Sequence, residues 1–443
     1  MKKEKMIKTE SNLISHVEEK KQNALLISVY QGTSKKAICE EHLNELRLLV
    51  ETFGVSTAGK VMCPLRKYDA STYIGKGKLE ELVGQAHDLN VDLVIFDDEI
   101  TPAQQRNLEK AFGRSVIDRT EVILGVFAQR AQTKEARLQV ELAQIKYEAP
   151  RLKRLWTHLS RQQGTSGSGG GGSYLKGEGE KQIEIDKRIL KRKIDLLQKE
   201  IEEVKGHREV QRTSRVKAGI PVFAIIGYTN AGKSTLLNAL TEAGVFVEDK
   251  LFATLDTTTR KFTLSNNQDI LLIDTVGFIR KLPHLLVAAF KGTLEEAVEA
   301  DILLHLVDVS HPMAEEQAAT TFEVLKELGA GKKPIITVLN KIDKCEHPSM
   351  IHRIRMSYPK NVQISALKKE GFDELQEKMI VELSLLRQII KLRIPQSDYA
   401  SVSEIMQEGH VLNQDYEEND ILLKVELPKG TAKKYLHYQL AEN

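Results

Sequence analysis

The stretch Gly227-Tyr228-Thr229-Asn230-Ala231-Gly232-Lys233-Ser234 constrains this chain most, because its chemistry suits one local fold. The apolar run Val222–Ile226 before it reads as a buried strand, and Thr235–Leu240 after it reads as a helix. Glycines let the backbone curl until several N–H groups face one point, where the following helix adds its positive N-terminus. That is a grip for phosphate. Lys233 would reach the β- and γ-phosphates and the Ser234 hydroxyl would hold Mg²⁺. Strand, loop and helix in this order predict an α/β nucleotide domain, mostly parallel, with helices on both faces of its sheet.

A chain of 443 residues exceeds one ordinary core. Four segments are expected: an α/β domain over 1–118, a basic helical hairpin over 119–218, the nucleotide domain over 219–390 and a small α+β domain over 391–443. The formal net charge of +2 announces no nucleic-acid partner, so charge must be read locally. Cys39, Cys63 and Cys345 match no metal-ligand spacing and read as reduced thiols, implying a cytoplasmic protein. No run approaches about 18 uncharged apolar residues, so no membrane span is expected.

In the first segment Ala24–Val29, Lys60–Cys63, Val91–Phe96 and Ser115–Ile117 read as strands of a mainly parallel sheet. Lys36–Phe53, Lys78–Leu89 and Pro102–Phe112 read as helices between them. Gly75-Lys76-Gly77-Lys78 lacks the strand before it that a phosphate loop needs, and reads as a turn opening a helix. Helical spacing then runs from Arg119 to about Gln163, with a break expected at Pro150. A second helix is expected over Glu180–Arg212, where Ile183, Leu190, Ile194, Leu197, Ile201 and Val204 follow near-heptad spacing. The two should form an antiparallel hairpin and leave no coiled-coil face for a second copy, so a monomer is expected. Gly164–Gly179 between them reads as a linker or a tip that a partner orders. Arg151, Lys153, Arg154, Trp156, His158 and Arg161 before it, with Lys176, Lys181, Lys187 and Arg188 within or after it, suit RNA phosphate pairing and base stacking. They equally suit a solvated helix face.

Four further segments follow the phosphate loop. Ile270–Ile273 ends at Asp274-Thr275-Val276-Gly277, where the carboxylate could polarise a metal-bound water and the glycine backbone could approach the γ-phosphate. Ile302–Val309 is another buried strand, whose Asp308 no motif marks and which reads as structural. Ile335–Leu339 leads to Asn340-Lys341-Ile342-Asp343. In the P-loop GTPase superfamily, which this order resembles, that pattern reads guanine, the Asp accepting from the ring N–H and exocyclic amine. Val362–Ile364 ends at Ser365-Ala366-Leu367, resembling the segment whose backbone contacts guanine O6. Between loop and Asp274 lies Phe252-Ala253-Thr254-Leu255-Asp256, followed by Thr257, Thr258 and Thr259. Any of these threonines could complete a Mg²⁺ shell around bound triphosphate.

The run DTVGFIRKLPHLLVAAFKGTLEE at Asp274–Glu296 is similar to the HflX family of ribosome-associated GTPases. So are YIGKGKLEEL at Tyr73–Leu82, TPAQQRNLE at Thr101–Glu109 and RLQVELAQIKYEAPRLKRLW at Arg137–Trp156. The resemblance implies a GTPase that binds the large ribosomal subunit and its RNA and acts in ribosome splitting, rescue or biogenesis. It also selects Thr254 as the second metal ligand, placing Lys233, Thr254 and Gly277 at the catalytic centre. The chain departs from the family in having Thr257 where proline is common, and in a Gly/Ser-rich hairpin loop.

Phe278 follows Gly277 where Ras-like enzymes place a water-orienting glutamine. A phenyl ring cannot align water, so slow unaided hydrolysis is expected. Two rival readings are an RNA-binding scaffold with a degenerate nucleotide domain and an ATP-dependent RNA remodeller working through the first segment. The intact Lys233, Ser234, Asp274 and Asn340–Asp343 weigh against the first. The absence of a second complete phosphate loop weighs against the other.

Overall fold

A computed structural model describes residues 22–151, 174–217, 220–241, 251–252, 255, 257–283, 296 and 298–440. The chain clusters into two compact units, and Leu251, Phe252 and Lys281 cluster with the first despite their place in the sequence.

The first unit is built on β1 (Asn23–Tyr30), α1 (Lys36–Phe53), β2 (Ser56–Pro64), α2 (Lys76–Asp88), β3 (Leu93–Phe96), α3 (Pro102–Phe112) and β4 (Ser115–Asp118). The strands pair in parallel in the order β2-β1-β3-β4. Parallel strands are covered on both faces, which is why β1 and β3 are almost unbroken apolar runs. Gly75 is the extended N-cap of α2, so the Gly/Lys pair does open a helix. Thr101 and Gln104 form a capping box on α3, with Pro102 in its first turn.

The helical stretch after β4 is not continuous. It divides into α4 (Arg119–Arg130) and α5 (Lys134–Glu148) because the Thr133 hydroxyl accepts from Ala136 N–H and restarts the helix. Pro150 lies in a 3₁₀ turn, Ala149–Arg151, that ends it. The long helix α6 (Tyr174–Lys217) begins earlier than the expected Glu180 and takes in Gly177 and Gly179. Leu, Lys and Glu around them outweigh a cost of about 1 kcal/mol per helical glycine. Of the heptad residues whose side chains are described, Leu197 and Ile201 are buried and Leu190, Ile194 and Val204 half-buried, while Lys193 pairs with Glu141 of α5 at 2.7 Å. Residues 152–173, with Lys153, Arg154, Trp156, His158, Arg161 and most of the Gly/Ser tip, lie outside the described residues.

The second unit contains β5 (Val222–Gly227), α7 (Lys233–Thr241), β6 (Thr258–Thr263), β7 (Asp269–Asp274), β8 (Ile302–Asp308), α8 (Ala314–Glu327), β9 (Ile335–Asn340), α9 (Pro348–Ser357), β10 (Asn361–Gln363) and α10 (Phe372–Leu386). Its sheet order is β10-β9-β8-β5-β7-β6, and only β6 runs antiparallel. Phe223, Ile225, Leu304, Leu306 and Val338 pack with Leu236 and Leu237 of α7 and Met379 of α10. A further sheet, β11 (Arg387–Pro395), β12 (His410–Glu417) and β13 (Asp420–Pro428), is antiparallel in the order β11-β13-β12. Helices α11 (Tyr399–Glu408) and α12 (Lys429–Lys434) pack on it. The apolar-alternating Ile421–Leu427 forms the body of β13. β11 begins directly after α10, where alternation in RQIIKLRIP puts Ile390, Leu392 and Ile394 on one buried face.

Candidate nucleotide site

Every motif with a described position in the second unit sits at the C-terminal end of a parallel strand, the edge where open α/β sheets bind ligands. β5 delivers the chain into the phosphate loop at Gly227 (φ 151°), where a Cβ would strike the Leu306 carbonyl of β8. Asn230 (φ 61°) and Gly232 (φ 95°) both take left-handed conformations, turning the loop back into α7. A side chain on Gly232 would collide with the Asn340 amide.

Lys233 is buried, and its ammonium donates to the Tyr228 carbonyl at 2.9 Å and the Gly227 carbonyl at 3.4 Å. Burial pushes its pKa down to about 8; Asp274 opposes the shift and Lys341 adds to it. The Ser234 hydroxyl donates to Asp274 Oδ2 at 2.6 Å. The buried Thr229 hydroxyl finds no hydrogen-bond partner among the described residues. Ala231 is buried and its carbonyl is already taken by Asn340.

Asp274 ends β7 and is fully buried. The Thr275 hydroxyl donates to the Ile225 carbonyl at 2.8 Å and stitches β7 to β5. Val276 is buried. A Cβ on Gly277 would lie 2.9 Å from the Thr229 Cα as well as from the Lys233 nitrogen, so the loop backbone itself leaves room only for glycine. Beyond it, Phe278 N–H donates to the Gly227 carbonyl at 3.0 Å and Thr229 N–H to the Phe278 carbonyl at 2.7 Å. Arg280 N–H donates to the Tyr228 hydroxyl at 2.6 Å. Phe278 itself is buried, strapped to the phosphate loop by its backbone.

At the other end, Asn340 is a buried clamp. Its Nδ2 donates to the Ala231 carbonyl at 2.8 Å, while its Oδ1 accepts from Ala366 N–H at 3.0 Å. One side chain thus joins phosphate loop, guanine-reading segment and last segment. Lys341 has φ 63° and its ammonium lies 2.7 Å from Asp308 Oδ2. Ile342 N–H donates to the Ile364 carbonyl at 3.4 Å. The Ser365 hydroxyl holds the Asp343 carboxyl below its ordinary pKa, which keeps it an acceptor. Ala366 is buried and Leu367 is exposed.

Asn340, Ser234 and Asp274 thus hold these segments together at one sheet edge. A family described as GTP-binding GTPase N-terminal matches residues 40–128, its middle region matches 130–215, and one described as 50S ribosome-binding GTPase matches 222–341. The GTPase HflX of Chlamydia pneumoniae is 47% identical over 94% of this chain and 88% of its own length. The chain belongs to the HflX family of GTPases. The HflX protein of Lacrimispora saccharolytica is 44% identical over 93% of this chain and 95% of its own. A solved GTP-binding protein from Sulfolobus solfataricus in complex with GDP is 27% identical over 82% of this chain and 99% of that one, at a TM-score of 0.42. As an HflX-family GTPase, the chain is a GTP hydrolase.

The switch segment is only partly placed. Ala253, Thr254 and Asp256 lie outside the described residues. Leu255 is buried. Phe252 is buried in the first unit at φ 56°, its ring edge-on to Phe127 at 4.6 Å. Arg151, read above as a candidate RNA contact, is an interior residue. Its guanidinium donates to the Ile100 and Tyr147 carbonyls at 3.0 Å each, and lies 3.5 Å from Asp118 and over the Tyr147 ring. That is an interior anchor, whereas Lys187 and Arg188 are exposed. Sequence reasoning missed the Asp308 contact with Lys341. The available signal was its position at the end of the neighbouring parallel strand.

Proposed function

We propose that this HflX-family GTPase is a Mg²⁺-dependent switch that binds the large ribosomal subunit through its RNA and acts in splitting, rescue or biogenesis of ribosomes, as a cytoplasmic monomer. Asn340 carries the nucleotide half of this reading, because its side chain ties Gly227–Ser234 to Ser365–Leu367. Gly227–Ser234, Asp274–Gly277, Asn340–Asp343 and Ser365–Leu367 hold GTP or GDP, with Lys233, Gly277 and Thr254 serving the γ-phosphate. Among the described residues no three His, Cys, Asp or Glu side chains gather to hold a metal by themselves. The adjoining Ser234 hydroxyl and Asp274 carboxylate instead suit a hard cation that shares its shell with phosphate and water. Mg²⁺ there, with Ser234 and Thr254 as ligands, would neutralise phosphate charge. The buried Phe278 supports slow hydrolysis unless the ribosome orders the water. Among the described residues no helix is long and apolar enough to cross a membrane.

The ribosomal half rests on family membership and on the exposed Lys187 and Arg188 of α6. Co-sedimentation with separated ribosomal subunits tests it. A non-hydrolysable GTP analogue should carry the protein into the large-subunit pellet more strongly than GDP. Equal pelleting with both nucleotides removes the switch, and no pelleting removes the partner.

A further inference from the structure

Asp308 closes β8, the strand between β5 and β9, and belongs to none of the nucleotide-binding segments above. Its two oxygens are divided between two tasks. Oδ1 accepts from Ser310 N–H at 3.0 Å and the Ser310 hydroxyl at 2.5 Å, holding the turn after the strand. Oδ2 pairs with the Lys341 ammonium at 2.7 Å, with both side chains largely shielded at 12% and 23% exposure. Lys341 is the second residue of the guanine-reading segment, and its ammonium lies close enough to Lys233 to disfavour that residue's charge. A lysine stem has large rotamer freedom, which a nucleotide would otherwise have to freeze on binding.

We propose that Asp308 is a positioning residue for the guanine nucleotide, holding the Lys341 side chain in one arrangement and offsetting its charge beside the phosphate loop. The idea rests on Asn340–Asp343 being the guanine reader. It explains why an acid stands at this strand end although it touches no expected ligand position.

The test is a double-mutant cycle on the full chain, with GDP affinity measured by titration in the parent, Asp308→Asn, Lys341→Met and the double variant. Asparagine keeps an acceptor for Ser310 but loses the ion pair, so the melting temperature without nucleotide should hold. Asp308→Asn should weaken GDP binding roughly three- to tenfold, the scale of a shielded ion pair that orders one lysine. It should cost nothing further once Lys341 is methionine, and Asp308→Glu should recover part of the loss. Unchanged affinity in Asp308→Asn, or an equal loss in both Lys341 backgrounds, overturns the proposal. If Asp308→Asn melts early, Asp308→Glu decides: recovered folding without recovered affinity counts against positioning. A parallel titration with ADP separates the premise, because a parent protein that binds ADP as well as GDP has no guanine reader to position.

Discussion

The two units each carry a mainly parallel sheet with polar residues at its C-terminal edge, and the buried cations at the two edges are answered differently. At the first sheet, Asp97 ends in a closed cluster. Arg119 donates to it at 3.0 Å and also pairs with Glu45, Ser28 donates at 3.4 Å, and Lys281 bridges Asp97 and Asp98. Nearby, Asp118 accepts from Tyr147 at 2.9 Å, from Ile100 N–H at 3.2 Å and from Glu121 N–H at 3.0 Å. Charges there are answered by other charges of the same unit. At the second sheet the Lys341 ammonium is paired with Asp308, but the buried Lys233 ammonium donates to the Gly227 and Tyr228 carbonyls, and among the described residues the Thr229 hydroxyl has no partner. We therefore read the first edge as a structural lock and the second as the candidate phosphate receptor, according to whether the buried cation sits in an ion pair or on carbonyls.

The largest effect should come from opening the lock. Arg119→Met leaves Asp97 and Glu45 short of a buried counter-charge, which should destabilise the first unit by about 3–5 kcal/mol. Arg119 also stands in the first turn of α4, where the helix dipole disfavours a cation, so only these carboxylates hold its charge. Urea unfolding measures the loss, and GDP affinity of the folded protein should stay within about threefold, as expected of an independent site. A tenfold loss of GDP affinity would make the first edge part of the receptor.

Next in size is the receptor's own cation. Lys233→Ala should lower GTP turnover by about a hundredfold or more, the scale of a lost electrostatic contact to a transferring phosphoryl group. Any ATP turnover should vanish with it. Surviving ATP turnover would place a working site elsewhere and break the contrast between the sheets.

The receptor was the legible half of the molecule. Its residues lie in short runs, each at the end of an apolar strand that the sequence marks clearly, so Lys233, Asp274 and Asn340 could be read from local pattern. The lock was not legible, because its partners are remote in the chain: Glu45 and Arg119 are 74 positions apart, and Asp97 and Lys281 are 184 apart. Arg151 was misread for the same reason, since its acceptors at Ile100 and Gln105 belong to an earlier part of the fold. The break between α4 and α5 escaped because Ala131-Gln132-Thr133 has neither glycine nor proline, and only the Thr133 cap ends the pattern. Nor does the motif show that the Thr275 hydroxyl bonds the Ile225 carbonyl within the sheet, because that partner lies 50 positions away.

The smallest expected effect is also the most direct probe of unmatched charge. Burial lowers the Lys233 pKa from its ordinary 10.5 to about 8. Below pH 8 the folded protein carries the full cost of a buried ammonium. Between about 8 and 10.5 the unfolded chain binds more protons than the folded one, so raising the pH relieves that cost and favours the nucleotide-free fold. Phosphates bind the ammonium form, so above pH 8 nucleotide binding must take up a proton. GDP affinity should be flat in this group from pH 6 to 7, then weaken by up to about tenfold per unit above pH 8. Titration in two buffers of different ionisation heat would report the proton uptake, and Lys233→Met should abolish that uptake. A parent protein with flat affinity and no proton uptake up to pH 10 would have a Lys233 that keeps its charge in the empty site. The second edge would then be as well matched as the first, and the distinction between lock and receptor would have to rest on the loop amides alone.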